Sequence, residues 1–181
     1  LVESLRTDKK VGIASGFKPS GAYHFGHKLT SSTLAFFQKN GAQVFVPVAD
    51  VECQMAKEKP EQYMLTAADN LLDWGANGVN LDASHVYLQS EETRVFAISY
   101  KVAPKLNFED AIDIYGVEKL LFGEPEKGKR PEFPFLFSGI TQTADILLPQ
   151  HFDFENEFSF MIGGQDQDGH MNMSILLTKR T

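Results

Sequence analysis

The sequence predicts an α/β protein built on one parallel β-sheet with helices on both faces. Two observations support this class. Short apolar runs that fit buried strands alternate with longer segments whose apolar residues recur at helical spacing. Polar residues also stand at the carboxyl ends of several predicted strands, where open α/β sheets bind their ligands. The predicted strands cover residues 11–14, 43–48, 84–88 and 158–162, and their alternation with helices predicts right-handed crossovers.

The composition is that of one globular domain. Of the 181 residues, 43% are hydrophobic and 23% are charged, which are the proportions of a chain that folds around a core. No apolar run is long enough to cross a bilayer, and the first residues show no signal-peptide pattern. Cys53 is the single cysteine, so a disulfide framework is excluded and a reducing, cytoplasmic location is expected.

The net charge of −7 speaks against strong nucleic-acid binding by this segment alone, because phosphate contacts need Lys and Arg. Any contact with RNA is expected to be local or to lie outside this chain. Residues 1–5 and 176–181 both look like interrupted helices. We therefore expect a fragment of a longer protein, with one truncated domain over residues 1–181.

Residues 16–27 form the segment around which the rest of the chain is organised. They follow the first predicted strand and contain a Gly/Pro/Ser turn. A helical pattern comes next, in which an apolar stripe lies on one helix face and consists of Leu29, Thr33, Phe36 and Phe37. A helix N-terminus offers unpaired N–H groups and a partial positive charge, which suit a phosphate group.

Two histidines flank a glycine at the start of this predicted helix. His24 and His27 are spaced i, i+3, so both rings lie on one helix face and can donate to the same anion. Gly26 between them lets a phosphate or a base approach the backbone, where a Cβ atom would obstruct it. The arrangement predicts a nucleotide-binding turn.

The next predicted strand ends at two acidic residues, Asp50 and Glu52. They are either ligand-binding groups at a strand end, or solvated loop acids and a helix cap. A helix is then predicted from Pro60 to about Gly75. Its apolar stripe is predicted to pack in the core and consists of Met64, Leu65, Ala68, Leu71 and Leu72.

The second half of the chain begins with an expected insertion over residues 91–132, which is helical to residue 115 and then a surface loop. Lys127, Lys129 and Arg130 in the loop either reach an anionic ligand or RNA or belong to a solvated lid, and the solvated lid is favoured. A helix over residues 133–148 carries Gln142 and Asp145 at i, i+3 spacing, so both can project into one cavity. Polar residues again follow the last strand, over residues 163–170.

Five segments in this order resemble the catalytic domain of class I aminoacyl-tRNA synthetases, and most closely tryptophanyl-tRNA synthetases of the archaeal and eukaryotic type. The resemblance covers nearly the whole chain and implies a Rossmann-like fold. The His24-Phe25-Gly26-His27 turn with its preceding Pro-Ser-Gly matches the family's HIGH region. The other matching segments are residues 49–52, 88–91, 141–147 and the Asp-Gln-Asp sequence at 166–168.

The resemblance implies activation of tryptophan by ATP, followed by transfer of the acyl group to tRNA(Trp). It implies catalytic roles for His24, His27 and Lys18, with the histidines holding the ATP phosphates. Mg²⁺ would accompany ATP, held mostly by phosphates and water, and no side chain is assigned as a metal ligand. The implied ATP-binding residues are Gly16, Pro19, Ser20, Gly26, Gly164 and Asp166, the last of which would bind the ribose hydroxyls.

For the amino acid, the resemblance implies that Gln142 and Gln167 bind the ammonium and carboxylate groups. Asp145 would accept the hydrogen bond from the indole N–H, or from a phenol O–H in a tyrosyl enzyme. Glu52 matches an acid used for indole recognition in eukaryotic-type enzymes, so Asp145 and Glu52 are joint candidates.

Other functions stay open from the sequence. Gly163-Gly164, Gly169 and Pro47 depart from the tryptophanyl pattern, which leaves tyrosine as an alternative substrate. The chain contains no Lys-Met-Ser-Lys-Ser-type loop and no anticodon-binding domain, which a non-catalytic synthetase-like binding module would also lack. A small-molecule nucleotidyltransferase is a further alternative with the same turn. By family inference, the full-length protein would be a homodimer that meets through residues 116–137.

Overall fold

The computed structural model describes residues 9–116 and 133–180, together with residues 3, 6 and 7. Four strands lie in this part of the chain: β1 (Val11–Ala14), β2 (Gln43–Val48), β3 (Ser84–Leu88) and β4 (Phe158–Met161). The helices with described bounds are α1 (Phe25–Lys39), α2 (Asp50–Met55), α3 (Pro60–Ala76), α4 (Thr93–Val102), α5 (Phe108–Tyr115), α6 (Phe133–Leu147) and α7 (Asp168–Lys179). Four short 3₁₀ turns complete the described elements: Leu81–Ala83, Ala103–Lys105, Leu148–Gln150 and Gln165–Gln167.

The four strands form one parallel sheet in the order β3-β2-β1-β4, which confirms the predicted sheet. Strand β1 is central: Ile13 pairs with Val44 of β2 on one side and with Phe160 of β4 on the other. The first three strands have the predicted bounds, and β4 ends one residue earlier than predicted. Strands β2 and β3 are added on one side of β1, whereas β4 is added on its other side. The crevice between β1 and β4 is therefore the topological switch point of the sheet.

Two hydrophobic clusters cover the two faces of the sheet, as predicted. The first joins the sheet to α1 and α3 and includes Leu34 and Trp74, both fully buried. The second joins the opposite face to α4, α6 and α7 and includes Ile98, Leu148 and Leu177. The sheet is therefore sandwiched, and the carboxyl ends of its strands remain as the place where ligands can approach.

The apolar stripe of α1 does not mark its buried face, although Phe37 of the stripe packs against the core. Leu29 and Phe36 are 73% and 59% exposed, whereas the face turned to the sheet carries Ser31, Leu34 and Ala35. Ser31 is tolerated there because its hydroxyl hydrogen-bonds to the Tyr23 hydroxyl, 2.8 Å away.

The predicted stripe of α3 is wrong. Leu65 and Leu72 are 70% and 72% exposed, and Met64 and Ala68 also face outward, while Leu71 alone of the stripe packs against the core. The buried face instead contains Asn70, whose Nδ2 donates to the Gly21 carbonyl at 3.1 Å. The other buried residues of this face are Tyr63, Ala67 and Trp74. A polar residue with a partner can be buried, so apolar content does not identify the inner face.

A short helix, α2, stands where the sequence allowed a solvated loop. Asp50 begins the helix and is 2% exposed, so the interpretation as a solvated acid is wrong. The helix ends in a Schellman motif, in which Glu58 N donates to Cys53 O at 2.9 Å and Lys57 N donates to Gln54 O at 3.0 Å. Lys57 has a φ of +59°, a left-handed conformation that a residue other than glycine rarely adopts.

The expected insertion over residues 91–132 contains α4 and α5, and α5 begins with a capping box between Asn107 and Asp110. Residues 117–132 lie outside the described residues, and with them the expected loop, its basic residues and most of the expected dimer contact. Within the described residues, no helix has both the length and the apolar content needed to cross a membrane.

Candidate functional site

Three chain segments meet at the carboxyl edge of the sheet. They are the turn after β1, the start of α2 after β2, and residues 163–167 after β4. Because β1 lies between β2 and β4, these segments are neighbours in space although they are far apart in the sequence. The Ser15 hydroxyl donates to Ile162 O at 2.6 Å and ties the first segment to the third. The predicted nucleotide and amino-acid residues are therefore drawn from one edge.

The turn after β1 is fixed to β2 by its backbone. Phe17 N donates to Pro47 O at 3.2 Å, and Ala49 N donates to Phe17 O at 2.9 Å. A Cβ atom on Gly16 would lie 1.9 Å from Pro47 O, so this close approach requires glycine at position 16. Gly16, predicted to bind ATP, thus has a structural reason to be glycine. Pro19 in the same turn is buried.

His24 lies one residue before α1, as its N-cap, and not in the first helical turn as predicted. Its Nδ1 accepts a hydrogen bond from Gly26 N at 3.1 Å, which satisfies one of the free N–H groups of the helix start. The neutral tautomer with this bond carries its proton on Nε2, so Nε2 is the atom left to donate to an anion. Ser20, also in the candidate site, is exposed, and its N–H donates to Lys18 O at 2.8 Å.

The rings of His24 and His27 stack with centroids 3.9 Å apart and planes at 19°, as expected for one helix face. Burial, and next the neighbouring His24, lower the pKa of His27. The His27 Nδ1 is buried without a hydrogen-bond partner among the described residues. A Cβ atom on Gly26 would lie 3.0 Å from the His24 ring, so the small residue at 26 keeps this ring in place.

The Lys18 ammonium points to α2 and forms an ion pair with Glu58, with 2.9 Å between Nζ and Oε1. Burial alone would lower the pKa of Lys18, but the hydrogen bond and the charge of Glu58 outweigh it and raise that pKa. The same hydrogen bond lowers the pKa of Glu58. Lys18 is thus held in its charged form within the turn between β1 and α1.

The two predicted glutamines meet across the crevice between α6 and the segment after β4. Gln142 Nε2 donates to Gln167 Oε1 at 3.0 Å and also lies 3.6 Å from the Met161 sulfur. Gln167 Nε2 in turn donates to Asp166 at 2.8 Å. These side chains form one polar chain at the switch point of the sheet, from the half-buried Gln142 to the exposed Asp166.

The backbone at Gly164 accommodates Asp166. A Cβ atom on Gly164 would lie 2.4 Å from Asp166 Oδ1, so glycine at 164 gives the Asp166 carboxylate its position. Both residues are exposed and are accessible to a ligand at the strand ends.

Asp145 lies in the core at 3% exposure, and each of its carboxylate oxygens accepts a hydrogen bond. Oδ1 accepts from the Tyr87 hydroxyl at 2.7 Å, and Oδ2 accepts from Gln89 Nε2 at 2.5 Å. Burial raises the pKa of Asp145 to about 7, although both hydrogen bonds act to lower it. Gln89 is also buried, and its Oε1 has no partner among the described residues.

Glu52, the second candidate for indole recognition, is half-buried in α2 and accepts a hydrogen bond from the Ser138 hydroxyl. Ser138 did not figure among the predicted site residues, yet helical spacing could have found it, since Ser138, Gln142 and Asp145 are i, i+4 and i+7 on one face of α6. The neighbouring Asp50 accepts from Ser90 N at 3.0 Å, so it joins α2 to the end of β3.

Tyr87, Gln89 and Glu58 are further polar residues at the site that the predicted set lacks. Tyr87 lies inside an apolar strand pattern and Glu58 follows a helix that was not predicted, so neither carried a sequence signal. Within the described residues, no three His, Cys, Asp or Glu side chains are grouped so that they could hold a metal ion.

The sequence matches the model of a protein family described as tRNA synthetases class I (W and Y) over residues 6–181. The tryptophan–tRNA ligase of Methanopyrus kandleri is 31% identical over 171 residues, which cover 92% of this chain and 43% of that protein. The tryptophan–tRNA ligase of Methanocaldococcus jannaschii is 30% identical, with 99% of this chain and 47% of that protein covered. The chain spans less than half the length of these curated relatives.

Solved structures show the same fold. The tryptophanyl-tRNA synthetase of Aeropyrum pernix superposes with a TM-score of 0.83 at 28% identity, covering 99% of this chain and 46% of that one. A tyrosyl-tRNA synthetase of Archaeoglobus fulgidus, complexed with L-tyrosine, gives a TM-score of 0.73 at 22% identity, covering 98% of this chain and 53% of that one. At that identity the second likeness concerns the fold alone.

Proposed function

Because the chain belongs to the class I tRNA synthetases of the W and Y family, we propose that it is the substrate-activating part of a tryptophan–tRNA ligase. The reaction is attack of the tryptophan carboxylate on the α-phosphate of ATP, which gives tryptophanyl-adenylate and pyrophosphate. The tryptophanyl group then passes to the terminal adenosine of tRNA(Trp). The observation that carries the proposal is the Gln142–Gln167 contact at the switch point of the sheet, beside the two stacked histidines of the β1 turn.

Activation is an in-line displacement, so positioning and charge stabilisation supply most of the acceleration. His24 donates from Nε2 to the phosphates, and His27 lies stacked beneath it. Lys18 is close enough along the turn to supply a positive charge. Asp166 accepts from the ribose hydroxyls. ATP brings Mg²⁺ that its phosphates and water hold, and no side chain of this domain is assigned to that ion.

When the amino acid binds, Gln142 and Gln167 exchange their mutual hydrogen bond for bonds to its ammonium and carboxylate groups. Asp145 is an acceptor for the indole N–H, since each carboxylate oxygen can accept two hydrogen bonds and each already accepts one. Glu52 remains a joint candidate. The unpaired Oε1 of Gln89 adds a third, because a buried acceptor without a donor is costly and a ligand N–H would satisfy it.

The tryptophan–tRNA ligases of several archaea support tryptophan over tyrosine, with about 26–31% identity over nearly the whole chain. The proposed partners are tRNA(Trp), L-tryptophan and ATP. The proposed location is the cytoplasm, and the full-length protein is proposed to work as a homodimer. The single cysteine supports the reducing compartment.

Calorimetric titration tests the choice of substrate. The full-length protein is titrated with L-tryptophan and, separately, with L-tyrosine in the presence of a non-hydrolysable ATP analogue. We expect heat from tryptophan only. Tyrosine alone would transfer the assignment to a tyrosyl enzyme, and silence with both amino acids would favour a non-catalytic binding module. A pocket built to satisfy a specific acceptor rejects ligands that lack the donor by roughly 10⁴-fold.

A further inference from the structure

The ion pair between Lys18 and Glu58 links the nucleotide-binding turn to the end of α2. The 2.9 Å contact joins two side chains that are each about one-third exposed, so water and a bound anion can reach both. Lys18 belongs to the turn between β1 and α1, two residues from Ser20 and six from His24. Glu58 belongs to neither of the two predicted substrate sites.

Two further features place Glu58 at this position. It also accepts a hydrogen bond from the buried Cys53 thiol, which lowers the pKa of Glu58 in the same direction as Lys18 does. The Schellman motif that turns the chain toward Lys18 depends on Lys57 in the left-handed conformation. Backbone strain of this kind persists only where the surrounding contacts enforce it.

We propose that Glu58 is a positioning residue for Lys18: it is the counter-ion that holds the ammonium in the empty site and that a nucleotide phosphate displaces. The inference rests on the proposed function, since it requires ATP at the turn. Glu58 keeps Lys18 charged and holds its ammonium at the chain segment that follows α2. A triphosphate carries several negative charges and binds an ammonium more strongly than one partly exposed carboxylate does. Glu58 therefore lowers the affinity for ATP while it stabilises the empty turn.

The test is a double-mutant cycle in the full-length protein, titrated with adenosine 5′-(β,γ-methylene)triphosphate. Glu58→Gln keeps the size of the side chain and one acceptor oxygen but removes its charge. We expect the dissociation constant to fall by about 2- to 5-fold, as for loss of a partly exposed competing ion pair. In a Lys18→Met background the same substitution is expected to change affinity by a smaller factor, because the competitor has lost its target.

Glu155→Gln is the matched control. Glu155 also pairs with a lysine, Lys10, at 3.9 Å. Both side chains are largely exposed, and Lys10 directly precedes β1, at the end opposite to the turn. Its loss removes the same unit of charge and is expected to leave nucleotide affinity unchanged. Equal or weaker binding by Glu58→Gln would overturn the inference, and so would an equal gain in the Lys18→Met background. A wild-type protein that binds no nucleotide would overturn the proposed function itself.

Discussion

Asp145 shows how one residue's burial can govern stability across a range of pH. The carboxyl group is inside the core, where the charged form is disfavoured, and its two hydrogen bonds from Tyr87 and Gln89 offset only part of this cost. The sequence placed Asp145 in an apolar helix, where a charged aspartate is costly unless it is paired or faces a polar ligand. It did not indicate which partner, because Tyr87 and Gln89 are more than 50 residues away and come from a strand.

The raised pKa of Asp145 predicts a pH-dependent stability. Between about pH 4 and pH 7 the folded protein keeps a proton that the unfolded chain releases, so the free energy of unfolding falls as pH rises through this window. The contribution of this group changes by up to about 4 kcal/mol. Asp145→Asn does not titrate, so the stability of wild type relative to the variant should decrease from pH 5.0 to pH 7.5 in urea unfolding. A constant or increasing difference would contradict the raised pKa.

Asp166 tests the ribose assignment. Its carboxylate is exposed and accepts a hydrogen bond from the side chain of Gln167, the next residue in the same segment. Asp166→Ala should weaken binding of a non-hydrolysable ATP analogue by about 1.5–3 kcal/mol, as for a lost hydrogen bond to a charged group. Asp168→Ala, two residues further on, is the control and should bind the analogue as wild type does. Equal affinities for wild type and Asp166→Ala would remove Asp166 from the ATP site.

At the scale of elements, helices are easy to predict and their inner faces are not. The positions of α1, α3 and α6 follow from helical spacing and from signals such as Pro60 at the start of α3. The inner faces of α1 and α3 do not follow, because Ser31 and Asn70 are buried with partners that only the fold supplies. The helix α2 has six residues, and its apolar residues Val51, Cys53 and Met55 alternate with polar ones, so it gave no helical periodic signal.

Substitution of Leu34 and of Leu72 tests the difference in stability between an inner and an outer helix face. Leu34→Ala removes a fully buried side chain from α1, and we expect a loss of about 2–5 kcal/mol in the free energy of unfolding. Leu72→Ala is the same substitution on α3, where the side chain is 72% exposed, and should change stability by less than about 0.5 kcal/mol. Chemical unfolding of both variants checks the pair. Similar losses would show that the outer face of α3 is covered in solution.

At the C-terminus of α2, substitution by glycine is expected to raise the stability of the protein. Lys57→Gly relieves the left-handed conformation and should stabilise the protein by about 0.5–1 kcal/mol, after the added entropy of the unfolded chain is allowed for. Lys101→Gly is the matched control, since Lys101 is an exposed residue inside α4, where it carries no such strain and glycine is an unfavourable helix residue. That control should lose stability. Thermal unfolding of both variants decides, and a loss in each would mean that Lys57 is not strained.

At the scale of the whole molecule, the parallel sheet was predictable because strands and helices alternate in the sequence. The place of β4 beside β1 was not, since it depends on contacts between remote residues such as Val11 and Phe158. The shared edge of the site follows from that placement. The candidate residues were therefore identifiable as strand-end residues, while their contacts, such as Gln142 with Gln167, were not.

Gly12 tests how tightly the layers are joined. A Cβ atom at this position in the central strand would lie 2.3 Å from Pro149 and 3.3 Å from Asn156. Gly12→Ala should reduce the free energy of unfolding by about 1–3 kcal/mol, because the added methyl group overfills a packed contact. Gly21→Ala adds the same group in open space and should stay within about 0.5 kcal/mol of wild type. Equal changes in stability in the two variants would mean that Pro149 and Asn156 move at little cost to make room for the methyl group.

The central position of β1 also has a consequence for synthesis on the ribosome. Ser15, which follows β1, bonds to Ile162, 147 residues later in the chain. At about 5–20 residues per second, translation needs roughly 7–30 s to supply that partner. During this interval, the inner strand of the finished sheet has an unpaired edge and lacks the second core, and such edges associate readily with other chains. Pairing with β2 covers one edge of β1 early, whereas its other edge stays open until β4 emerges.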